Sequence, residues 1–184
     1  MAFLTVLTRH MPARAALLTR NIASLQGQTD PDYEQLVLED GHSRGWAFAR
    51  QMLIDAANSL VADYACEYVL ILDDDDVMRA PDGIAQLKRA ARGAPPVIIF
   101  RGRHAELGIL PSHSWQGRPE CGDIGIFDFI LRADVYRECI GAQSASDYAH
   151  DHALIAAAYD RHQEAVVWLD AVICAADKRR IGKD

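Results

Sequence analysis

The stretch Tyr68-Val69-Leu70-Ile71-Leu72-Asp73-Asp74-Asp75-Asp76 runs an unbroken apolar segment straight into four carboxylates. The apolar part reads as a buried strand. Neighbouring like charges repel and each must stay solvated or paired, so four together are most easily tolerated where a cation partly neutralises them. In open α/β sheets, ligands sit outside the carboxyl ends of the strands, which is where this run falls. The position points to a metal and a charged ligand. The competing reading is a solvated turn that simply ends the strand.

Working outward from that strand, the chain alternates. Phe3 to Thr8 reads as a buried first strand, and Pro12 sits where a helix's first turn tolerates it, ahead of Ala15-Ala16-Leu17-Leu18 and Ile22 to Leu25. Turn residues at Gly27 to Asp32 lead to a second strand, Tyr33 to Leu38, which ends at Glu39-Asp40-Gly41. Trp46 to Tyr64 has helical spacing, with Met52, Leu53, Ala56, Leu60 and Val61 on its core face. Downstream, a helix from Ile84 to Ala91 precedes Pro95-Pro96 and a fourth strand, Val97 to Phe100.

Between Arg101 and Gly122 the periodicity breaks up, and His104 and His113 fall in what reads as a substrate-facing loop. An apolar stretch, Ile124 to Leu131, and a short helix, Ala133 to Cys139, follow. Ser146-Asp147 reads as the N-cap of an Ala-rich helix, Tyr148 to Arg161, and a last strand, Ala165 to Cys174, precedes a basic tail. The alternation predicts an α/β protein: a three-layer sandwich around a mainly parallel, Rossmann-like central sheet.

With 184 residues, 50% of them hydrophobic and 24% charged, the chain can bury one core. We read 1–184 as a single domain, with 1–102 as a nucleotide-binding half and 103–184 as an acceptor-side half. The net charge of -7 and pI near 5.4 argue against nucleic acid as a partner, since phosphate-backbone affinity needs concentrated Lys and Arg. Cys66, Cys121, Cys139 and Cys174 form no CxxC pair, so they read as reduced and structural. The apolar start is cut off by Arg9 and His10, unlike a signal peptide, and no stretch reaches the length of a membrane span; a cytoplasmic location is the expectation, and an oligomer is compatible with it.

In their order, these segments resemble the family-2 glycosyltransferases of the GT-A fold. The resemblance rests on Phe3 to Leu25, Val37-Leu38-Glu39-Asp40-Gly41, Leu72-Asp73-Asp74-Asp75-Asp76, the Phe127 to Val135 segment, and His150-Asp151 near a late helix start. It implies that Asp40, with Glu39 beside it, contacts the nucleotide base. It further implies that Asp73-Asp74-Asp75 is the DxD motif, in which Asp75 binds a divalent metal (Mn²⁺ or Mg²⁺) bridging the donor diphosphate. Asp73 would face the ribose or the metal's water shell, and Asp76 is the acid that often follows. Four successive acids leave the register open by one residue. Asp151 matches the family's catalytic base, with Asp147 as competitor. The chain departs from the family where its first strand ends in Leu7-Thr8-Arg9-His10, and where no Ser-Thr-Asp follows Asp40-Gly41.

The implied activity is an inverting, metal-dependent transfer of a sugar from a nucleotide-sugar donor to an acceptor hydroxyl. A hard divalent cation prefers carboxylate and phosphate oxygens, and the attacking hydroxyl needs a carboxylate to take its proton. Two other classes fit parts of the pattern: a catalytically silent nucleotide- or metal-binding module, and a metal-dependent phosphohydrolase, for which no phosphate-loop signature is present. Individual residues also have plainer uses. Asp40 fits a turn with Gly41, and an acid in a helix's first turn is favoured by the macrodipole without any catalytic duty. His150 and His152 point in different directions on a helix, which argues against a shared metal. Lys178-Arg179-Arg180 reads either as a solvated end or as a reach toward the diphosphate. Trp115 and Trp168 read as packing residues ahead of sugar platforms, although Trp115 lies in the loop where an acceptor could stack.

Overall fold

The computed structural model describes residues 2–41, 46–59, 66–142 and 150–176. Eight strands form one sheet: β1 (Ala2–His10), β2 (Tyr33–Glu39), β3 (Cys66–Ile71), β4 (Asp76–Met78), β5 (Val97–His104), β6 (Gly108–Leu110), β7 (Phe129–Arg132) and β8 (Val166–Ala176). Among the described residues, five α-helices accompany them: α1 (Ala15–Gln26), α2 (Trp46–Ser59), α3 (Gly83–Ala90), α4 (Ala133–Cys139) and α5 (His150–His162). The strand order is β2-β1-β3-β7-β5-β8-β4, with β6 paired to β5 outside that path. β1 pairs in parallel with β2 and β3, and β5 with β8; the short strands β7, β4 and β6 pair antiparallel. All five long strands therefore point the same way. The result is the expected mixed α/β sandwich with a mainly parallel sheet.

Burial explains the strand assignments. β1 is buried from Phe3 to His10, as a central strand covered on both faces must be. β2, at the edge, is only partly covered, and its Val37 is exposed. β3 and β5 contribute Tyr68 to Leu72 and Val97 to Phe100 to the core, where the Tyr68 hydroxyl donates to the Pro95 carbonyl at 2.8 Å and burial pushes its pKa up to about 12. Helix α4 packs on β3 and on α2 and α5, while α1 lies along β4 and α3 against β8.

Two strands escape a reading of periodicity. β4 has three residues and begins with Asp76, so no apolar run announces it. β6 closes a hairpin within the segment read as a loop, and Gly108 supplies the positive φ of +83° that starts it. β1 also continues through Arg9 and His10, and β5 through Arg101 to His104, beyond their apolar runs. The four cysteines are free thiols. No helix among the described residues is long and apolar enough to cross a membrane.

Candidate functional site

The parallel run of β1, β2 and β3 brings three carboxyl ends to one edge. Glu39 lies in register with His10, Leu72 N–H donates to Leu7 O at 3.0 Å, and Asp74 N–H donates to Arg9 O at 3.2 Å. Arg9 and His10 are thus delivered beside the acidic run. Arg9 donates from Nε to Asp73 Oδ1 and from Nη2 to Asp73 Oδ2, both at 2.6 Å. Asp74 meets His10 Nδ1 at 3.0 Å and accepts from Arg14 Nη1 at 2.9 Å and from the Met11 N–H at 3.2 Å. Burial alone would lower the Arg9 pKa, but the Asp73 charge and hydrogen bonds outweigh it and raise it. Burial, Asp75 and Asp74 act on Arg14 in the same opposed way, again with a net rise.

Helix α1 shapes the turn that carries the acids. Asn21, fully buried, donates from Nδ2 to the carbonyls of Asp73 and Asp76, both at 2.9 Å, across a turn closed by Asp76 N–H to Asp73 O at 2.9 Å. Gln35 on β2 orients that amide by donating to Asn21 Oδ1 at 2.7 Å and to Thr8 Oγ1 at 2.8 Å. Arg20 reaches the Asp75 carbonyl at 3.3 Å, and Ser24 Oγ accepts the Met78 N–H at 3.0 Å. The backbone of the acidic segment is consequently held from α1, which leaves its carboxylates to be aimed.

They are aimed unequally. Asp73, Asp75 and Asp76 each offer a carboxylate oxygen, and these atoms lie within 4.8 Å of one another. Asp74 is outside this cluster, engaged by His10 and Arg14. A cleft of about 230 Å³ opens beside the cluster, lined by the polar side chains of Arg9, Asp73, Asp76, His104 and Asp151 and by the apolar Leu107, Leu110, Ile124, Ile126 and Phe127. Glu106 and His152 border it as well. Asp151 stands in the first turn of α5, and its charge is among those that raise the Arg9 pKa. Glu39 and Asp40 lie at the end of β2, with Asp40 N–H donating to His10 O at 2.8 Å; they do not line this cleft. Asp147 and the Lys178-Arg179-Arg180 tail lie outside the described residues.

The segment from Arg101 to Gly122 is folded back by its own polar contacts. Asp123, 1% exposed, accepts the N–H and Oγ–H groups of both Ser112 and Ser114. Burial would raise its pKa, but these bonds outweigh burial and hold it below the ordinary value. Trp115 and Trp168 pack edge-to-face at 5.1 Å, and the Arg101 guanidinium lies 3.9 Å over the Trp115 ring. His104, the other histidine of this region, meets the buried Asp128.

Sequence reasoning missed Arg9, His10, Arg14 and Asn21 as parts of the site. A signal was there: two basic residues end a strand that begins as an apolar run, in parallel register with a strand that ends in acids. Asn21, in contrast, is one polar position on a helix, and only the folded turn shows what it holds.

Among solved structures, the chain is similar to S. aureus TarS 1-349 in complex with UDP-GlcNAc, at 14% identity and a TM-score of 0.70, over 99% of this chain and 60% of that one. It is also similar to a glycosyltransferase involved in the glycosylation of the major capsid of PBCV-1, at 10% identity and a TM-score of 0.58, over 98% and 94% of the two chains. A third similar structure is A197 from STIV, at 13% identity and a TM-score of 0.57, over 92% and 82%. No family profile and no curated protein sequence matches the chain. These likenesses define a GT-A-like glycosyltransferase fold. The chain spans 60% of the length of the TarS 1-349 structures.

A divalent cation fits the acidic cluster. Oxygens on opposite sides of a Mg²⁺ ion are ~4.2 Å apart, and three carboxylate oxygens within 4.8 Å come close to that span, so a small closing rotation of the side chains would bring them onto one ion. Hard oxygen donors match Mg²⁺ or Mn²⁺. Each carboxylate oxygen carries two lone pairs, so Asp73 can hold Arg9 and still face a cation.

Proposed function

We propose that this chain transfers a sugar from a nucleotide-sugar donor to an acceptor hydroxyl, with inversion and with Mn²⁺ or Mg²⁺ as cofactor. The observation that carries the reading is that Asp73 and Asp76, from a three-carboxylate cluster, border the same cleft as Asp151, which comes from a different element. Asp73 and Asp75, with Asp76, would hold the cation, which when bound neutralises charge on the departing diphosphate. Asp74 holds the end of β1 against the acidic turn, and through it the donor side of the cleft. Glu39 and Asp40 are the candidate contacts to the base, on the strand next to β1. Residues 1–102 would form the donor side, and 103–184 the acceptor side.

In this scheme the acceptor oxygen attacks the anomeric carbon, the bond from that carbon to the diphosphate breaks, and the hydroxyl proton passes to the Asp151 carboxylate. A single displacement needs one such base on the face opposite the leaving group. Among the described residues, Glu106 is the other carboxylate of the cleft outside the acidic turn and is a rival for this role.

The test is turnover of nucleotide sugars, by transfer or by hydrolysis to water, in wild type, Asp151→Asn and Glu106→Gln. The reading expects Asp151→Asn to lose turnover at least ~100-fold with donor binding kept, the range typical of a lost general base. Loss in Glu106→Gln alone would move the base to Glu106. Metal-dependent nucleotide binding with no turnover in the wild type would favour a silent binding module.

A further inference from the structure

His104 and Asp128 form a pair that the scheme above does not use. Asp128, fully buried, meets His104 Nε2 through Oδ2 at 3.0 Å, and the same oxygen accepts the Gly125 N–H at 2.6 Å. Its other oxygen, Oδ1, is buried with no hydrogen-bond partner. A carboxyl group held in this way is an expensive core residue, and burial pushes its pKa up against the opposing effect of His104.

The surroundings are cleared for the pair. A Cβ on Gly102 would fall 1.9 Å from Asp128 Oδ1, and a Cβ on Gly125 would fall 2.6 Å from His104 Cε1. The imidazole stacks on Phe127, with ring centroids 4.7 Å apart and planes at 22°. Stacking, the carboxyl contact and the two glycines together fix the ring. His104 lines the same cleft as Arg9, Asp73, Asp76 and Asp151.

The tautomer follows from Oδ2. As a carboxylate Asp128 is acceptor-only, so the contact to Oδ2 is donated by the His104 Nε2–H. Nδ1 is then left with a lone pair, and it makes no hydrogen bond to any described residue.

We propose that His104 is a sugar-contacting residue of the cleft, accepting through Nδ1 a hydrogen bond from a hydroxyl of the donor's sugar, with Asp128 as its positioning residue. The proposal rests on the nucleotide-sugar reading and adds to it which side chain reads the sugar. Asp128 never meets the ligand; it acts by holding the ring and its tautomer. A hydroxyl of the acceptor offers the same chemistry, and the test separates the two sources.

The experiment compares affinities for matched probes, UDP with UDP-GlcNAc, GDP with GDP-mannose and dTDP with dTDP-glucose, each with Mn²⁺, in wild type, His104→Gln and Asp128→Asn. For one pair the wild type should bind the sugar conjugate more tightly than the nucleoside diphosphate. His104→Gln should reduce that gain about five- to tenfold, the effect of one neutral hydrogen bond, and leave nucleoside diphosphate affinity within about twofold. In Asp128→Asn the carboxamide can donate to Nε2, and ¹⁵N spectra of the imidazole should show the proton moved to Nδ1 together with loss of the same gain.

A gain unchanged in His104→Gln overturns the proposal while leaving the donor-site reading intact, and a rise in acceptor KM alone would assign the contact to the acceptor and overturn it equally. An ¹⁵N spectrum with the proton on Nδ1 in the wild type overturns the role given to Asp128. Absence of binding by any nucleoside diphosphate would bring down the donor-site reading itself.

Discussion

Arg9 and Asp73 face each other as a two-pronged ion pair, with both N–O distances at 2.6 Å and side-chain exposures of 9% and 16%. The pair spans the ends of β1 and β3 and borders the cleft. Removing one partner of a buried pair leaves the other charge uncompensated, at about 3 kcal/mol. Arg9→Met should therefore destabilise the fold by roughly that amount in urea denaturation. Arg9→Lys keeps the charge but loses the fork, and should recover only part of it.

Asn21 closes the acidic turn from behind through two amide hydrogen bonds. Asn21→Ala removes the amide donor from both carbonyls, of which that of Asp73 keeps the Asp76 N–H, and should cost about 2 kcal/mol, measured as a lower denaturation midpoint at unchanged slope. Asn21→Asp cannot donate either bond and adds a fifth carboxylate beside the run, so it should be worse than Ala.

Gly102 and Gly125 keep the His104–Asp128 pair from being overfilled. Gly102→Ala places a methyl 1.9 Å from Asp128 Oδ1 and 2.5 Å from the Phe127 ring, so something must move. Overpacking of this kind costs about 1–3 kcal/mol. We expect a lower melting temperature and a shifted His104 imidazole resonance, whereas Gly93→Ala, with nothing within 4 Å but a φ of +89°, should lower stability and leave that resonance in place.

The Asp123 carboxylate is held below its ordinary value of 3.8 by the hydrogen bonds from Ser114 and Ser112, which outweigh burial. Between the lower folded value and the unfolded one, the unfolded chain binds more protons, so stability rises with pH there. The contribution is complete above the unfolded value and lost as pH falls through the folded one. Stability measured across this acid range should fall less steeply in Asp123→Asn than in the wild type, although the variant is less stable at neutral pH. Parallel curves would contradict the assignment.

Much of this architecture was legible because buried parallel strands are written as apolar runs. Val97 to Phe100 and Tyr68 to Leu72 announce themselves, and Ala133–Cys139 is the helix that the spacing predicts. β4 and β6 were not legible, since three residues held by pairing to β8 and β5 carry no periodicity of their own. At the site, the acids could be counted but not aimed. Which of Asp73 to Asp76 turns toward the cluster depends on where Arg9, His10 and Arg14 come to rest, and that is set by the parallel register of β1 with β3. His104 and Asp128 lie 24 residues apart in segments without a shared pattern, and only their hairpin and turn bring them into contact.

The proposed transfer requires that the Asp73, Asp75 and Asp76 cluster bind a divalent cation that holds a nucleoside diphosphate. The most direct measurement is calorimetric titration of UDP, GDP and dTDP with and without Mn²⁺, in wild type and in Asp75→Ala. One nucleotide should bind only with the metal, and Asp75→Ala should abolish this. Binding of none of the three, or metal-independent binding indifferent to Asp75→Ala, would contradict it.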